Sequence, residues 1–466
     1  MALFRVKNID QMLEARSNTS LLKTLTATDL ALLGIGAVVG SGIFILTGTG
    51  ALIAGPALSL SFALAALACF FSALSYAEFA STVPVSGSVY TYTYATLGEI
   101  WAWLIGWTLI LEYGLATSAV AAGWSGYLQS LASGLGLALP PALSAAPGTR
   151  EGVDTFFNLP AFAIIMVITW LLSLGIRESK RINNLMVAIK VGVIVLFVAV
   201  GVFYVEPENW SPYMPFGWSG VFAGAAIMFY AFIGFDAVAS AAEEVKDPQR
   251  ALPRGILAAL FVCTVLYIAV TLVMTGIVPY PQFASNLDHP VSLALQYAGQ
   301  HWMAAVVDIG AITGMTTVIL VMGYGLTRIL YAMARDGLLP QRLARVHPRY
   351  QTPYTLTWTV GLIFGAIAGL LPLTVLAELI NIGTLAAFSM ISVAVIVLRR
   401  TRPDLPRGFR CPAVPLFPIL AIACCLFLIV NLGSTTWLAF GIWVAVGLVV
   451  YVLYSRHHSV LGKQTS

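Results

Sequence analysis

The sequence predicts an all-α integral membrane protein of twelve transmembrane helices, with both termini on the cytoplasmic side. Three observations carry the prediction. Mean hydropathy is +0.89, and 59% of residues are hydrophobic against 9% charged, which excludes an ordinary soluble globule. Twelve apolar stretches approach or exceed the ~20 residues that a spanning helix needs; they run over 28–54, 57–81, 99–131, 160–176, 183–205, 217–243, 254–279, 301–332, 354–371, 375–398, 415–432 and 435–455. The third observation is the placement of positive charge. With the N terminus inside, all of the 24 Lys and Arg except Arg150 and Lys190 fall on the cytoplasmic side. That pattern obeys the positive-inside rule, so the net charge of +4 reflects topology and anionic lipid and gives no reason to expect nucleic acid.

The N-terminal segment, 1–27, is polar, carries Arg5, Lys7, Arg16 and Lys23, and has no signal-peptide pattern. Residues 30–77 then run without a charge, and Gly55-Pro56 divides them into spans 1 and 2. Inside span 1 lies Gly34 to Phe44 (GIGAVVGSGIF), where Gly34, Gly36, Gly40 and Gly42 read as an interruption of the helix near residues 40–42. In lipid, the backbone groups freed by such a break must be satisfied by protein, water or a ligand. Gly36 and Gly40 also form a small-xxx-small spacing, so helix packing is the competing explanation for the segment on its own. Span 3 carries Glu112. The loop around 132–159, with Pro140-Pro141, reads as outer surface, and span 5 carries Lys190.

Span 6 contains Phe229 to Asp236 (FYAFIGFD), a second glycine-marked interruption, five spans after the first. Paired discontinuous helices in two five-span halves are the sequence pointer to an inverted-repeat transporter. The expected organisation is a first repeat over 28–205, a second over 206–398, and spans 11–12 with the C terminus over 399–466, divided near Asn431 to Gly433. Asp308 and Met322 fall in span 8, and Glu378 at the outer start of span 10.

Six ionisable residues thus lie in or at the edge of spans: Glu78, Glu112, Lys190, Asp236, Asp308 and Glu378. Charge at bilayer depth costs about 2.5–3.5 kcal/mol on insertion scales, so each needs a role. Glu78 and Glu378 read as interfacial or structural, and Asp308 is ambiguous. Lys190 is the one basic residue far from either interface. It is expected to carry a proton or to stand as a fixed cation in place of a metal ion, or else to pair with Glu112 or Asp236. Backbone N–H groups of Ser41, Gly42 and Ile43 would open the second half of span 1 and suit a carboxylate. Carbonyls around Val38 and from Tyr230 through Ala231 to Ile233 would suit an ammonium group. Together with Gly40 they outline a site for the backbone of an α-amino acid. Asp236 either caps the second half of span 6 or binds ligand. Tyr230 and Phe232 are candidate gates. The five cysteines (Cys69, Cys263, Cys411, Cys424, Cys425) read as small apolar residues, and the five histidines show no metal-ligand spacing.

Four segments resemble the amino acid–polyamine–organocation superfamily and, within it, the cationic amino acid transporter family. They are Gly34 to Phe44, Tyr76 to Tyr92 (YAEFASTVPVSGSVYTY), Gly234 to Arg250 (GFDAVASAAEEVKDPQR) and Arg328 to Pro340 (RILYAMARDGLLP). The resemblance covers about 25–455 and is closest to bacterial members with twelve spans. It implies a LeuT-type fold, with spans 1–5 and 6–10 as inverted repeats, discontinuous helices 1 and 6, and helices 11–12 appended. It implies amino acid uptake across the cell membrane and a proton role for the span 5 lysine, which is Lys190 here.

The resulting expectation is proton-coupled symport of L-amino acids by alternating access, with the proton as coupling ion and no cofactor or metal. Met322 would fill space and favour short side chains. Small-to-medium neutral substrates are expected, with cationic ones as the alternative through Glu112. An amino acid exchanger and a nutrient sensor on the same fold are the rival functions. An enzyme is not expected, because no nucleophile–base pair or metal cluster lies at membrane depth. The partners expected are the substrate and lipid; a small single-span membrane partner would leave no trace in this sequence.

Overall fold

Thr26 and Asp29 fix where the first apolar helix starts. The Thr26 hydroxyl accepts from the Asp29 N–H, and the Asp29 carboxylate accepts from the Thr26 N–H at 2.9 Å. This reciprocal box satisfies two of the donors that a helix start leaves open. The computed structural model describes residues 5–17, 24–85, 88–134, 136–149, 154–175, 180–285 and 287–464. Lys23, Arg150 and Arg177 of the charge pattern, and Ser86 and Gly87 of the segment after span 2, lie outside them. Helix α1 (Ile9–Ser17) precedes the capped helix α2 (Ala27–Val38). Val39 turns to extended backbone, and a π-helical turn over Gly42–Leu46 leads into α3 (Thr47–Ala54). Gly55, at φ +65°, bends the chain into α4 (Leu58–Thr82).

Next come α5 (Ser88–Thr96), α6 (Glu99–Gly134), α7 (Leu159–Ser173) and α8 (Lys180–Gly201). Asn158 caps α7 by accepting from the Ala161 N–H, and Pro160 sits in its first turn, where no donor is lost. Helix α9 (Gly217–Met228) tightens into a 3-10 turn over Phe229–Phe232; the chain then extends at Ile233 and turns at Gly234, φ +119°. A residue with a side chain rarely adopts that φ, so glycine is what lets α10 (Ala237–Ser240) leave in a new direction.

The remaining helices are α11 (Pro248–Ile277), α12 (Pro290–Tyr297), α13 (His301–Arg335), α14 (Tyr354–Leu370), α15 (Leu373–Thr401), α16 (Leu416–Val430), α17 (Ser434–Val450), α18 (Arg456–His458) and α19 (Val460–Gln464). Helix occupies each apolar stretch that the hydropathy pattern marks. Among the described residues, eight segments are long and apolar enough to cross a membrane, and Ala27–Val38, Leu159–Ser173, Tyr354–Leu370 and Leu416–Val430 are shorter apolar helices. The chain is therefore a multi-pass membrane protein.

Helices α6 and α13 pack along each other at the centre, α11 runs along α4 and α2, and α8 lies against α2 and α13. At the cytoplasmic end predicted for α4, Glu78 is fully buried and holds the α15–α16 connection: Arg399 donates to both of its oxygens, at 2.8 and 2.6 Å, and the Cys411 N–H donates at 2.7 Å. Of the two roles its position suggests, Glu78 thus has the structural one. The N-terminal segment closes on the same side. The Lys7 ammonium and the Tyr90 hydroxyl each meet Asp336 at 2.6 Å, beyond the end of α13.

Candidate functional site

The end of α2 shows how the first break is held. The last carbonyls of a helix have no donor from a following turn, and in an apolar interior each unmet one costs about 1–3 kcal/mol. Here the donors come from three sources. The Ile35 carbonyl accepts from the Val39 N–H at 2.9 Å. The Gly36 carbonyl accepts from the Lys190 ammonium on α8 at 2.6 Å. The Val38 carbonyl accepts from the Tyr267 hydroxyl on α11 at 3.0 Å.

The second break interlocks with the first. A Cβ on Gly42 would lie 2.4 Å from the Cα of Ala231, and one on Gly234 would lie 2.9 Å from the backbone carbonyl of Ala37. Two backbones touch at two points, each made possible by a glycine. The Tyr267 hydroxyl also reaches the Ala231 carbonyl at 2.9 Å, so a single side chain spans both breaks. Asn381 on α15 holds the entry to the second break, donating to the carbonyls of Ala226 and Ile227 at 2.8 and 3.1 Å.

Some of the carbonyls around Val38 and Tyr230 to Ile233, which are expected to suit an ammonium group, also have donors within the protein. Those of Val38 and Ala231 share the one proton of the Tyr267 hydroxyl, and that of Tyr230 accepts from the Ile233 N–H at 3.2 Å. The Cα face of Gly42 is likewise taken by Ala231. The N–H groups of Ser41, Gly42 and Ile43 open the helical segment that follows the break, where no preceding turn supplies carbonyls. Above them, the Ser41 and Tyr230 hydroxyls share a hydrogen bond of 2.7 Å, and both residues are buried. Ile43 also lines an apolar cleft with Val193, Ile194 and Phe197 of α8.

Helices α13 and α6 flank the breaks. A Cβ on Gly40 would meet Val318 at 3.3 Å, and Met322, buried, follows one turn later on the same face of α13. On α6, a Cβ on Gly123 would fall 1.8 Å from Ile45 and 3.4 Å from the Cβ of Ser41. Further along α6 sit Glu112 and Tyr113. The Tyr113 hydroxyl donates to Asp236 at 3.0 Å, and Asp236 occupies the N-cap position of α10. Glu112 is 2% exposed and in electrostatic contact with Asp236. One oxygen of each carboxylate, Oε2 of Glu112 and Oδ1 of Asp236, has no hydrogen-bond partner among the described residues.

The two aromatic gate candidates separate. Tyr230 closes on Ser41, whereas Phe232 is fully buried in an aromatic cluster with Phe62 and Tyr267, at centroid distances of 6.1 and 5.2 Å. The other charges lie apart from the breaks. Asp308 accepts from Ser130 at 2.9 Å, and Glu378 meets the Thr436 hydroxyl.

Tyr267, Tyr113 and Asn381 are the site residues that the sequence reasoning misses. Each is a hydrogen-bonding side chain inside an apolar span, the one local signal available, because a buried hydroxyl or amide must find a partner. Nothing local says that the partners are the breaks.

Comparison with known proteins shows the family. A family model described as amino acid permease matches residues 25–453. The chain is 61% identical to the branched-chain amino acid permease BcaP of Bacillus subtilis, over 99% of both chains. It is 53% identical to the methylthioribose transporter of the same organism, over 99% of this chain and 100% of that one. Across kingdoms it is 33% identical to the vacuolar cationic amino acid transporter 4 of Arabidopsis thaliana, over 99% of this chain and 97% of the relative. A non-enzymatic transport protein with two touching, glycine-built helix breaks, matched over nearly its whole length, this chain belongs to the amino acid permease family.

Proposed function

We propose that this protein imports L-amino acids across the cell membrane by proton-coupled symport, with twelve spans in a LeuT-type arrangement and both termini cytoplasmic. In this reading the repeats cover 28–205 and 206–398, and the substrate backbone is held at the paired breaks. The N–H groups of Ser41, Gly42 and Ile43 receive the carboxylate, where the positive end of a helix dipole adds attraction. The ammonium group competes for the carbonyls of Val38, Tyr230, Ala231 and Ile233, and Gly40 leaves room beside Val318. The observation that carries the proposal is the Lys190 bond to Gly36. A titratable amine holds the last turn before the break, so its proton and the geometry of the site are one variable.

The cycle follows from those contacts. With Lys190 protonated, α2 stays tied to α8 and the breaks keep the shape that binds substrate. Tyr230 swings off Ser41 to admit it and returns to cover it, while Phe232 anchors the turn. Loss of the proton weakens the Gly36 bond, frees α2 from α8, and opens the inner side. The proton is the coupling ion, and no cofactor or metal enters the scheme.

Apolar Met322 and Val318 support a small-to-medium neutral substrate. The 61% identity to a branched-chain amino acid permease points to leucine, isoleucine and valine. Glu112 supports cationic substrates as the second class. The test is uptake into proteoliposomes of purified protein under an inward proton gradient. Leucine, isoleucine and valine should accumulate, collapse of the gradient should stop accumulation, and arginine and methylthioribose should be the weaker competitors. Counterflow without gradient-driven accumulation would indicate an exchanger, and binding without any flux a sensor.

A further inference from the structure

Helix α8 sits in glycine slots on both sides. On α2, a Cβ at Gly36 would lie 2.8 Å from Val187. On α13, Gly310 and Gly314 are spaced by one turn and face Val193 and Lys190, so the two helices run antiparallel here. The fit at Gly314 differs from the others, because the neighbour is the lysine's own stem. A Cβ at 314 would lie 3.0 Å from Cγ, 3.3 Å from Cδ and 3.2 Å from Cε of Lys190. Three successive methylenes thus lie flat over one bare Cα, and beyond them the ammonium reaches the Gly36 carbonyl at 2.6 Å.

We propose that Gly314 is a positioning residue for Lys190: the bare backbone at 314 lays the stem against α13 and delivers the ammonium to the carbonyl that precedes the first break. The proposal rests on the proton-carrier reading of Lys190. A methyl group at 314 displaces the stem by a few tenths of an ångström, because contacts of 3.0–3.3 Å are too close for carbon on carbon. A flexible lysine can yield, so the cost falls on where its end arrives rather than on whether the helix packs.

Gly310 is the matched control. Its Cβ would lie 2.5 Å from Val193, at least as crowded and on the same pair of helices, but the side chain it pushes carries no proton. The experiment compares G314A, G310A and K190A in proteoliposomes, reading the ratio of proton-gradient-driven accumulation to gradient-free counterflow of leucine. Counterflow needs a folded, cycling protein and normalises each variant. G314A should lower the ratio by about tenfold, the scale of one charge-assisted hydrogen bond, while G310A keeps the parent ratio. A G314A ratio equal to the parent's, with K190A uncoupled, overturns the role of Gly314 and leaves the Lys190 reading standing. Equal losses in G310A and G314A overturn it too, as general displacement of α8. Full coupling in K190A overturns both. Should G314A fail to fold alone, G314A/V187A relieves α8 at Gly36 and carries the same comparison.

Discussion

The Lys190 ammonium and the Gly36 carbonyl meet at 2.6 Å, on a helix turn whose own donors have been removed by the break that follows. In a continuous helix the Gly36 carbonyl would accept from the N–H of residue 40. At Gly40 the chain has already left the helix, so a side chain from α8 supplies the donor. Tyr267 on α11 does the same for the carbonyls of Val38 and Ala231. The breaks are therefore held by side chains that can let go, and each such side chain offers a separable test.

Tyr267→Phe removes one hydroxyl and keeps the ring that packs against Phe62 and Phe232 at 5.4 and 5.2 Å. Two carbonyls, of Val38 and Ala231, lose their shared donor. The expected cost is about 1–3 kcal/mol of stability, with leucine affinity reduced because both breaks loosen. Thermal unfolding and equilibrium binding of the purified variant measure both effects; unchanged values in both would show that the hydroxyl does not hold the breaks.

Gly42→Ala and Gly234→Ala should each separate the touching backbones. The new Cβ at 42 has nowhere to go, with Ala231 backbone at 2.4 Å, and overpacking of this kind costs about 1–3 kcal/mol. Position 234 adds the strain of φ +119°, so G234A should be the more damaging. Scanning thermal stability against leucine uptake orders the two, and a G234A protein as stable as G42A would contradict the conformational argument.

Met322→Ala should widen the side-chain space beside Val318 without touching the backbone contacts. Competition against leucine uptake should then rise for larger amino acids, phenylalanine and arginine among them, while leucine itself binds more weakly. An unaltered competition profile would place Met322 in packing alone. Glu112→Gln in the same background tells the two apart for arginine, whose gain should depend on the carboxylate.

Glu78→Gln should weaken the cytoplasmic tie. Arg399 donates twice to a carboxylate with no exposed surface, and losing one charge of such a buried pair costs about 3–5 kcal/mol. The variant should unfold at lower temperature and remain within error of the parent in substrate selectivity, since the partners of Glu78 lie on α15 and the α15–α16 connection. A selectivity change would link this tie to the site.

How much was legible in the sequence follows from the range of the forces involved. The positions of the helices and both breaks can be read locally, because twenty apolar residues make a span and glycines at depth interrupt one. Gly42 and Gly234 could be recognised as permissive, but not as permissive toward Ala231 and Ala37, which are close in space and far in sequence. Carbonyls at the two breaks are legible as acceptors, but the pattern of one span cannot show that the Tyr267 hydroxyl on another span reaches those of Val38 and Ala231. Lys190 stood out as a charge without an interface. Its contact with a carbonyl instead depends on α8 packing against α2, which the charge pattern does not encode.

The measurement that bears most directly on the central claim is leucine accumulation by K190A in proteoliposomes under an inward proton gradient, with counterflow recorded on the same preparation. The account predicts that accumulation is lost while counterflow persists, because the variant keeps the glycine contacts that interlock the breaks and loses the titratable donor to Gly36. Accumulation equal to the parent protein's would contradict it and remove Lys190 from proton coupling.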